Sequence, residues 1–506
     1  MEPKFKKSAR QLLPHAILLL AIGLACTCNG LSLVTTPASP PATQPVNPAT
    51  EPPPILPATE APPAAPTASQ AGLSGAAPWM IIGTSQGIWA ANTDGSGMSQ
   101  LLKGGLWQSD FSRSIQPKGN LVVVITSETD QYHHLALNLL SFPDGSMQKI
   151  TDLSNAQTEP AVDAMPGTDA MEAMRAIAEH TSYCWSPDGG RLAFISAQDG
   201  PSADVYIYDL NSKSIKRVSN DPAQDYAPSW SSDGNHLLYL SALGFGTGAG
   251  YVMDGVWQAD GAGSNVNLLY KSKSGGEDIL GWRDANTAIL ATWNISYGPG
   301  NLRLYNVTTK QVTPIQDGTA HGAVADIGNI FPSIDPGALL FGTGEGLSLL
   351  ASNQTSPAKL SGSAVDSVTW DRESSIFFVR FQDGSLATYS ADGSQVEKAP
   401  AALSSGGYPT INVSMYGAIW GWTVNGGDTQ GAWISGPGLD IPQLTDKPAI
   451  APLWDPHNNL TFFSDGSLYR VTFDGHYADL GQVADISGDV QAAAWVGAKG
   501  FDIYTP

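Results

Sequence analysis

The chain has 506 residues, 54 of them Gly and 36 Pro, with only 14% charged residues. That composition suits a turn-rich all-β protein and disfavours long surface helices. The formal net charge is -21, which sets the body against phosphate backbones and excludes nucleic acid as an expected partner.

The first element in chain order is a leader. Residues 1–10 are basic and residues 12–26 read LLPHAILLLAIGLAC, the layout of an export signal with an apolar run too short to span a bilayer. The run ends Gly23-Leu24-Ala25-Cys26. It resembles a bacterial lipobox, in which small residues precede a cysteine that becomes lipidated, although Gly23 stands where that pattern usually has Leu. We therefore expect a lipoprotein-type signal over 1–25 and a lipid on Cys26. The alternative is ordinary signal cleavage or an uncleaved anchor. Residues 26–77 follow as a tether. Thr36 to Ser69 contains twelve prolines among Ala, Thr, Glu and Ser, so it cannot bury enough apolar surface to fold and stays extended.

Residues 78–506 carry a repeat. Trp185, Trp230, Trp282, Trp370, Trp454 and Trp495 are separated by 45, 52, 88, 84 and 41 residues. The two double-length gaps hide units in which Pro332-Ser333-Ile334 and Pro409-Thr410-Ile411 replace Pro228-Ser229-Trp230. One more unit begins near Phe111. Each unit reads as a Trp or Ile strand, a tight Asp-Gly turn such as Trp185-Ser186-Pro187-Asp188-Gly189, then a second strand (LAFIS, 192–196; LLYLS, 237–241). A third strand (DVYIYDL, 204–210) and a short fourth (KRVS, 216–219) complete it. Four short strands at this period make a propeller blade. The expected fold is all-β: a propeller of four-stranded antiparallel blades, eight or nine in number. Residues 79–103 and 492–505 should combine into one sheet that closes the ring.

The repeat WSPDGGRLAFIS…DVYIYDLNSKSIKRVS resembles the WD40-like repeat of the TolB family. The resemblance covers nearly all of 78–506 and is strongest over 182–242. It implies a propeller, and by analogy with TolB a protein-interaction role in the bacterial envelope. TolB carries an additional N-terminal domain where this chain has the tether, so a role in outer-membrane integrity does not transfer.

Antiparallel strand order assigns the faces. Turns between strands one and two, and between three and four, share a face and are short. Turns between strands two and three share the other face with the blade-to-blade links. The longer of these are 127–134, 197–203, 242–255 and 294–301, so the loop face should be tall over the early blades. Rigid scaffolds often carry binding on such loops, and Tyr132, Phe245, Tyr251 and Tyr297 are its aromatic candidates. The largest insertion, about 152–182, ends in TDAMEAMRAIAEH, which reads as a helix with Met171, Met174 and Ile177 on one stripe. That stripe either seals its own propeller or docks a partner.

No catalytic residue, metal site or cofactor motif stands out. Gly83-Thr84-Ser85-Gln86-Gly87 matches a nucleophile elbow but should link two strands, and no hydrolase domain is expected before Pro506. The Gly-rich run 244–250 lacks the Lys-Ser/Thr of a phosphate loop. His133-His134 are adjacent on a strand and point opposite ways. Cys184, the one cysteine of the body, precedes Trp185 and reads as a buried inert thiol. The expected function is an envelope-anchored or secreted binding module with a protein or peptide partner, touching the membrane only through its N-terminal anchor. The alternative is an enzyme acting on a glycan or peptide in the propeller channel.

Overall fold

A computed structural model describes residues 72–104, 111, 113–127, 134–159, 169–178, 181–244, 251–271, 276–294, 298–316, 330–332, 338–343, 346–351, 354, 356–371, 376–383, 385–390, 392–394, 410–416, 419–427, 430–436, 443–455, 457, 459–472, 479–497 and 503–504. The leader, Cys26 and most of the tether lie outside them. Among the described residues no helix is long and apolar enough to cross a membrane.

The described strands form nine sheets, and every pairing is antiparallel. Blade 1 is the closing sheet. It takes Trp79–Thr84, Gly87–Asn92 and Ser99–Lys103 from one end of the repeat region, and Val490–Val496 and Ile503–Tyr504 from the other. The register Met80↔Trp495 joins the two ends. The combined sheet expected from the sequence is therefore present.

Blade 2 has Leu121–Thr126, Ala136–Ser141 and Met147–Asp152. Of the first strand expected near Phe111, the described residues show one bridge, Ile115↔Val122. Blade 3 has Tyr183–Trp185, Arg191–Ser196, Asp204–Asp209 and Ser214–Arg217. Blade 4 has Gln224–Trp230, His236–Gly244, Tyr251–Asp260 and Asn267–Tyr270. Blade 5 has Gly276–Asp284, Thr287–Asn294, Gly298–Asn306 and Val312–Gln316. Blades 6 to 9 continue from Ile330–Pro332 to Asp479–Asp485, with three described strands in blade 7 and four in the others.

Apolar clusters span the blades in sequence. Leu139, Phe194 and Tyr239 tie blades 2, 3 and 4. Leu240 meets Leu290, Ile289 meets Phe341, Leu349 meets Phe377, and Ile434 meets Phe462. The first strands of blades 7 and 8 lie against each other. Blade 1 shares Ile82 and Phe463 with blade 9, and Ile81 and Val124 with blade 2. The chain of contacts thus returns to its start. Alternation of side chains across each strand supplies both faces of every sheet with apolar residues, so each blade buries itself between two neighbours.

The signature tryptophans fix the spacing between blades. Trp185 Nε1 donates to Ser114 O (2.9 Å), Trp230 Nε1 to Cys184 O (3.3 Å), and Trp282 Nε1 to Ser229 Oγ (3.2 Å). Each indole reaches the preceding first strand. The residue that opens the second strand then covers the next tryptophan: the Arg191 guanidinium lies 4.7 Å from the Trp230 ring, and His236 stacks on Trp282. Desolvation of the half-buried Cys184 pushes its thiol up to about 12, which keeps it a poor nucleophile.

The Asp-Gly turns are held by their own side chains. Ser186 Oγ donates to Asp188 Oδ1 (2.6 Å), and Ser231 Oγ does the same to Asp233 (2.6 Å). Gly189 follows with φ +73°, and a Cβ there would meet Pro117 O of the preceding blade at 2.4 Å, so no larger residue fits. Ser85 and Gln86 form the two-residue hairpin inside the elbow-like motif, and Ser85 Oγ accepts from Asp489 N–H (3.0 Å). The motif is a turn, as expected.

Two predictions follow from this packing. Trp230→Phe keeps most of the ring but removes the indole donor to Cys184 O, and should lower stability by about 1 kcal/mol. Trp230→Ala adds a cavity and should cost about 3–5 kcal/mol, both read from urea midpoints. Separately, the Ser186 hydroxyl holds Asp188 below its ordinary value, Ser385 does so for Asp383, and Ser390 holds Asp392 at about 2. Carboxyls depressed by folding stabilise above their unfolded value of about 3.9 and lose that contribution as pH falls through their folded values. The urea midpoint should therefore drop between about pH 4 and pH 2.

Candidate binding face

Among the described strands, the second and third are longest in blades 4 and 5. The second and third strands run 9 and 10 residues in blade 4, and 8 and 9 in blade 5, against 6 and 6 in blades 2 and 3. The segment 242–255, expected as a loop, is mostly strand. Ala242↔Met253, Leu243↔Val252 and Gly244↔Tyr251 continue the ladder past a bulge at Ser241/Ala242. A hairpin arm satisfies backbone groups that a long loop would leave to water. Leu243 is 44% exposed on this arm. In blade 5, Trp293↔Pro299 and Asn294↔Gly298 extend a second arm in the same way, again past a bulge.

Of the aromatic candidates, Tyr251 is at the outer end of the blade-4 ladder. Tyr132, Phe245 and Tyr297 lie outside the described residues. Helix α1 (Asp169–Ala178) places Met174 and Ile177 fully in the cluster shared by blades 2, 3 and 4, with Met171 half-buried against it. The stripe packs on its own propeller, so no docking role is carried forward for it. His134 Nδ1 lies 3.2 Å from Glu159 Oε1, which also accepts from Ser154 Oγ (2.9 Å).

At the feet of the two arms is a set of buried charges that the sequence reading missed. Asp225 and Glu277 each stand five residues before a signature tryptophan, and each is 1% exposed. Each is the second residue of a first strand and pairs with the same position of the second strand: Asp225↔Ser241 and Glu277↔Thr292. Glu277 is answered by Arg303, itself buried, whose guanidinium also lies 4.4 Å from the Tyr270 ring. The register puts Trp257 at the matching position of blade 4 (Tyr239↔Trp257 against Leu290↔Arg303), so Asp225 has no such cation.

Asp225 is held instead from the link between blades 3 and 4. Ser219 Oγ donates to its Oδ2 and accepts from Val205 N–H (2.8 Å). Asp225 N–H donates to Ala203 O (2.8 Å), and Gln224 Oε1 accepts from Ala203 N–H (2.7 Å). Asp204, 1% exposed, opens the third strand of blade 3 and takes Arg217 at 2.5 Å. Burial raises Asp204 to about 6 against the pull of Arg217, and raises Asp225 well above the ordinary range. One oxygen of each carboxyl, Oδ1, has no hydrogen-bond partner. An acid five before the tryptophan was a readable signal; its burial and its partners were not.

No family model matches the chain. A 64-residue stretch is 41% identical to the Tol-Pal system protein TolB of Alcanivorax borkumensis, covering 12% of this chain and 15% of that protein. A 62-residue stretch is 39% identical to the uncharacterized peptidase YuxL of Bacillus subtilis, covering 12% of this chain and 9% of that protein. The matches thus span a small part of those curated relatives. A solved eukaryotic initiation factor, 12% identical, shares the fold with a TM-score of 0.51 over 83% of this chain and 98% of its own. The fold is a β-propeller, and the 64-residue stretch of its repeat is similar to that of TolB.

The Glu277–Arg303 pair gives a direct test of the arm foot. Arg303→Met leaves Glu277 buried without its cation and should cost roughly 3–5 kcal/mol in urea unfolding. The double variant with Glu277→Leu should recover much of that loss, because both charges are then removed together.

Proposed function

We propose that this TolB-like propeller is a binding module of the cell envelope that presents its loop face over blades 4 and 5 to a protein or peptide partner. The observation that carries the reading is the pair of hairpin arms, one with an exposed Leu243, whose strands are longer than the six-residue second and third strands of blades 2 and 3. Rigid sheets hold such arms in place at little entropic cost to binding. Phe245, Tyr251 and Tyr297 fall at or near the arm ends by sequence and supply aromatic anchors of the kind that dominate interfaces. The leader and the proline-rich tether would place the propeller outside the cytoplasm, with Cys26 as the lipidated residue. The partial likeness to a peptidase supports a second reading, an enzyme acting on a peptide or glycan at the channel.

The test is capture from envelope extract with the full chain as bait. Phe245→Ala/Tyr251→Ala should lose the partner by at least about tenfold, as removal of aromatic anchors does at interfaces. Lys447→Ala on an early turn of blade 9 should retain it. Equal capture by all three baits, or turnover of a peptide or glycan substrate by the unaltered chain, would refute the binding reading.

A further inference from the structure

Asp225 and Glu277 pose the same physical problem twice, a carboxyl buried at the foot of an arm, and the two blades solve it differently. In blade 5 a buried arginine neutralises the acid. In blade 4 the corresponding register position is Trp257, and the nearby acid is Asp204. We infer that Asp225 and Asp204 form a proton-operated latch. While the pair holds a proton, the link between blades 3 and 4 is closed under the blade-4 arm, and when the proton leaves, the foot of the arm loosens. This inference names the regulation of the binding face proposed above and rests on that reading only for what the arm docks.

The geometry makes the pair a mechanical junction. Asp225 is bonded to Ser219, which in turn takes Val205 N–H, so the carboxyl couples the first strand of blade 4 to the third strand of blade 3. Ser202 Oγ donates to Asp221 O (2.9 Å) and lies 3.4 Å from Asp204 Oδ2, which draws the link 218–223 onto the same point. Ser241, opposite Asp225, is the residue at which the arm bulges away from the sheet. A charge forced onto Asp225 therefore appears where three segments meet, on a side chain 1% exposed to bulk solvent.

The charged surroundings leave the proton as the available remedy. Arg217 is already committed to Asp204 and to Ser219 O (3.0 Å). Asp221 on the link and Asp199, which accepts from Tyr206 Oη (3.1 Å), add negative charge. Tyr206 and Tyr239 are pushed up by burial and stay neutral. On helix α1, packed on the same first strand, Glu172 is tied to Arg175 at 3.2 Å. On blade 5, Glu277 is tied to Arg303, with Asp278 beside it in the strand. Both Asp204 and Asp225 are raised above their unfolded values, so their contribution is fully present below about pH 3.9 and is lost as pH rises, first through about 6 for Asp204 and then higher for Asp225. This sign is opposite to that of the turn aspartates.

The experiment is amide hydrogen exchange on the full chain at about pH 5 and about pH 9, with each rate divided by its intrinsic chemical rate. In the unaltered protein, protection over 219–226 and 236–244 should fall by about tenfold or more between the two conditions, while 460–472 in blade 9 holds steady. Asp225→Asn, which resembles the protonated acid and cannot ionise, should abolish the fall. Should that variant not fold, Asp204→Asn removes the neighbouring negative charge and should move the fall to lower pH. A flat profile in the unaltered protein, an unchanged fall in Asp225→Asn, or a fall shared by blade 9 overturns the latch. A partner captured equally at both pH values despite the local fall overturns its role in gating and leaves the binding face intact. Capture that is insensitive to Phe245→Ala/Tyr251→Ala refutes the binding face and leaves the latch to be judged by exchange alone.

Discussion

From blade 2 to blade 5 the ring depends on an indole that belongs to one blade and is satisfied by the one before it. Trp185, Trp230 and Trp282 each donate backwards to a first strand, and each of the latter two is capped by the residue opening the previous blade's second strand. A large ring needs each inter-blade angle repeated with little error, because small deviations accumulate around the circle. A hydrogen bond with a fixed donor direction, set inside an apolar contact, supplies that repeat better than apolar packing by itself. The ends then meet in register, Met80 against Trp495, with strands from both termini in one sheet.

That constraint leaves the two faces unequal. On one face the described Ser-Asp turns are self-contained, with Ser Oγ donating to Asp within the turn in blades 3, 4 and 7. On the opposite face, strands two and three of blades 4 and 5 grow into arms. The arms are not loose loops. Each continues the hydrogen-bond ladder of its sheet beyond a bulge, so it extends outward with its direction set by the blade beneath. Binding surfaces built this way combine reach with order.

The acids at the arm feet give the face its chemistry. The same offset from the tryptophan yields a salt-bridged carboxyl in blade 5 and a hydroxyl-held one in blade 4. A buried pair of opposite charges is indifferent to ordinary changes of pH, whereas two neighbouring buried acids, one of which has no cation of its own, are not. The difference comes down to Arg303 against Trp257 at one register position. Two neighbouring arms can thus share a shape and respond differently to their surroundings.

Periodicity was fully written in the sequence. The tryptophan spacing, the Ser-x-Asp-Gly turns and the alternating apolar strands determined an all-β propeller and the two-ended closure, because these features are local and repeat. The Met171/Met174/Ile177 stripe marked an amphipathic helix, but only the structure showed it sealing its own propeller, since a stripe does not name the surface it covers. Leu243 and Tyr251 read as loop residues because Gly-rich composition masks a ladder that is stabilised across strands. Above all, the sequence placed Asp204, Asp225, Glu277 and Arg303 tens of residues apart with no hint of burial. Whether a carboxyl is paired, protonated or solvated is set by neighbours that only the tertiary fold brings within a few ångströms, and electrostatic energy depends on that distance and on the exclusion of water.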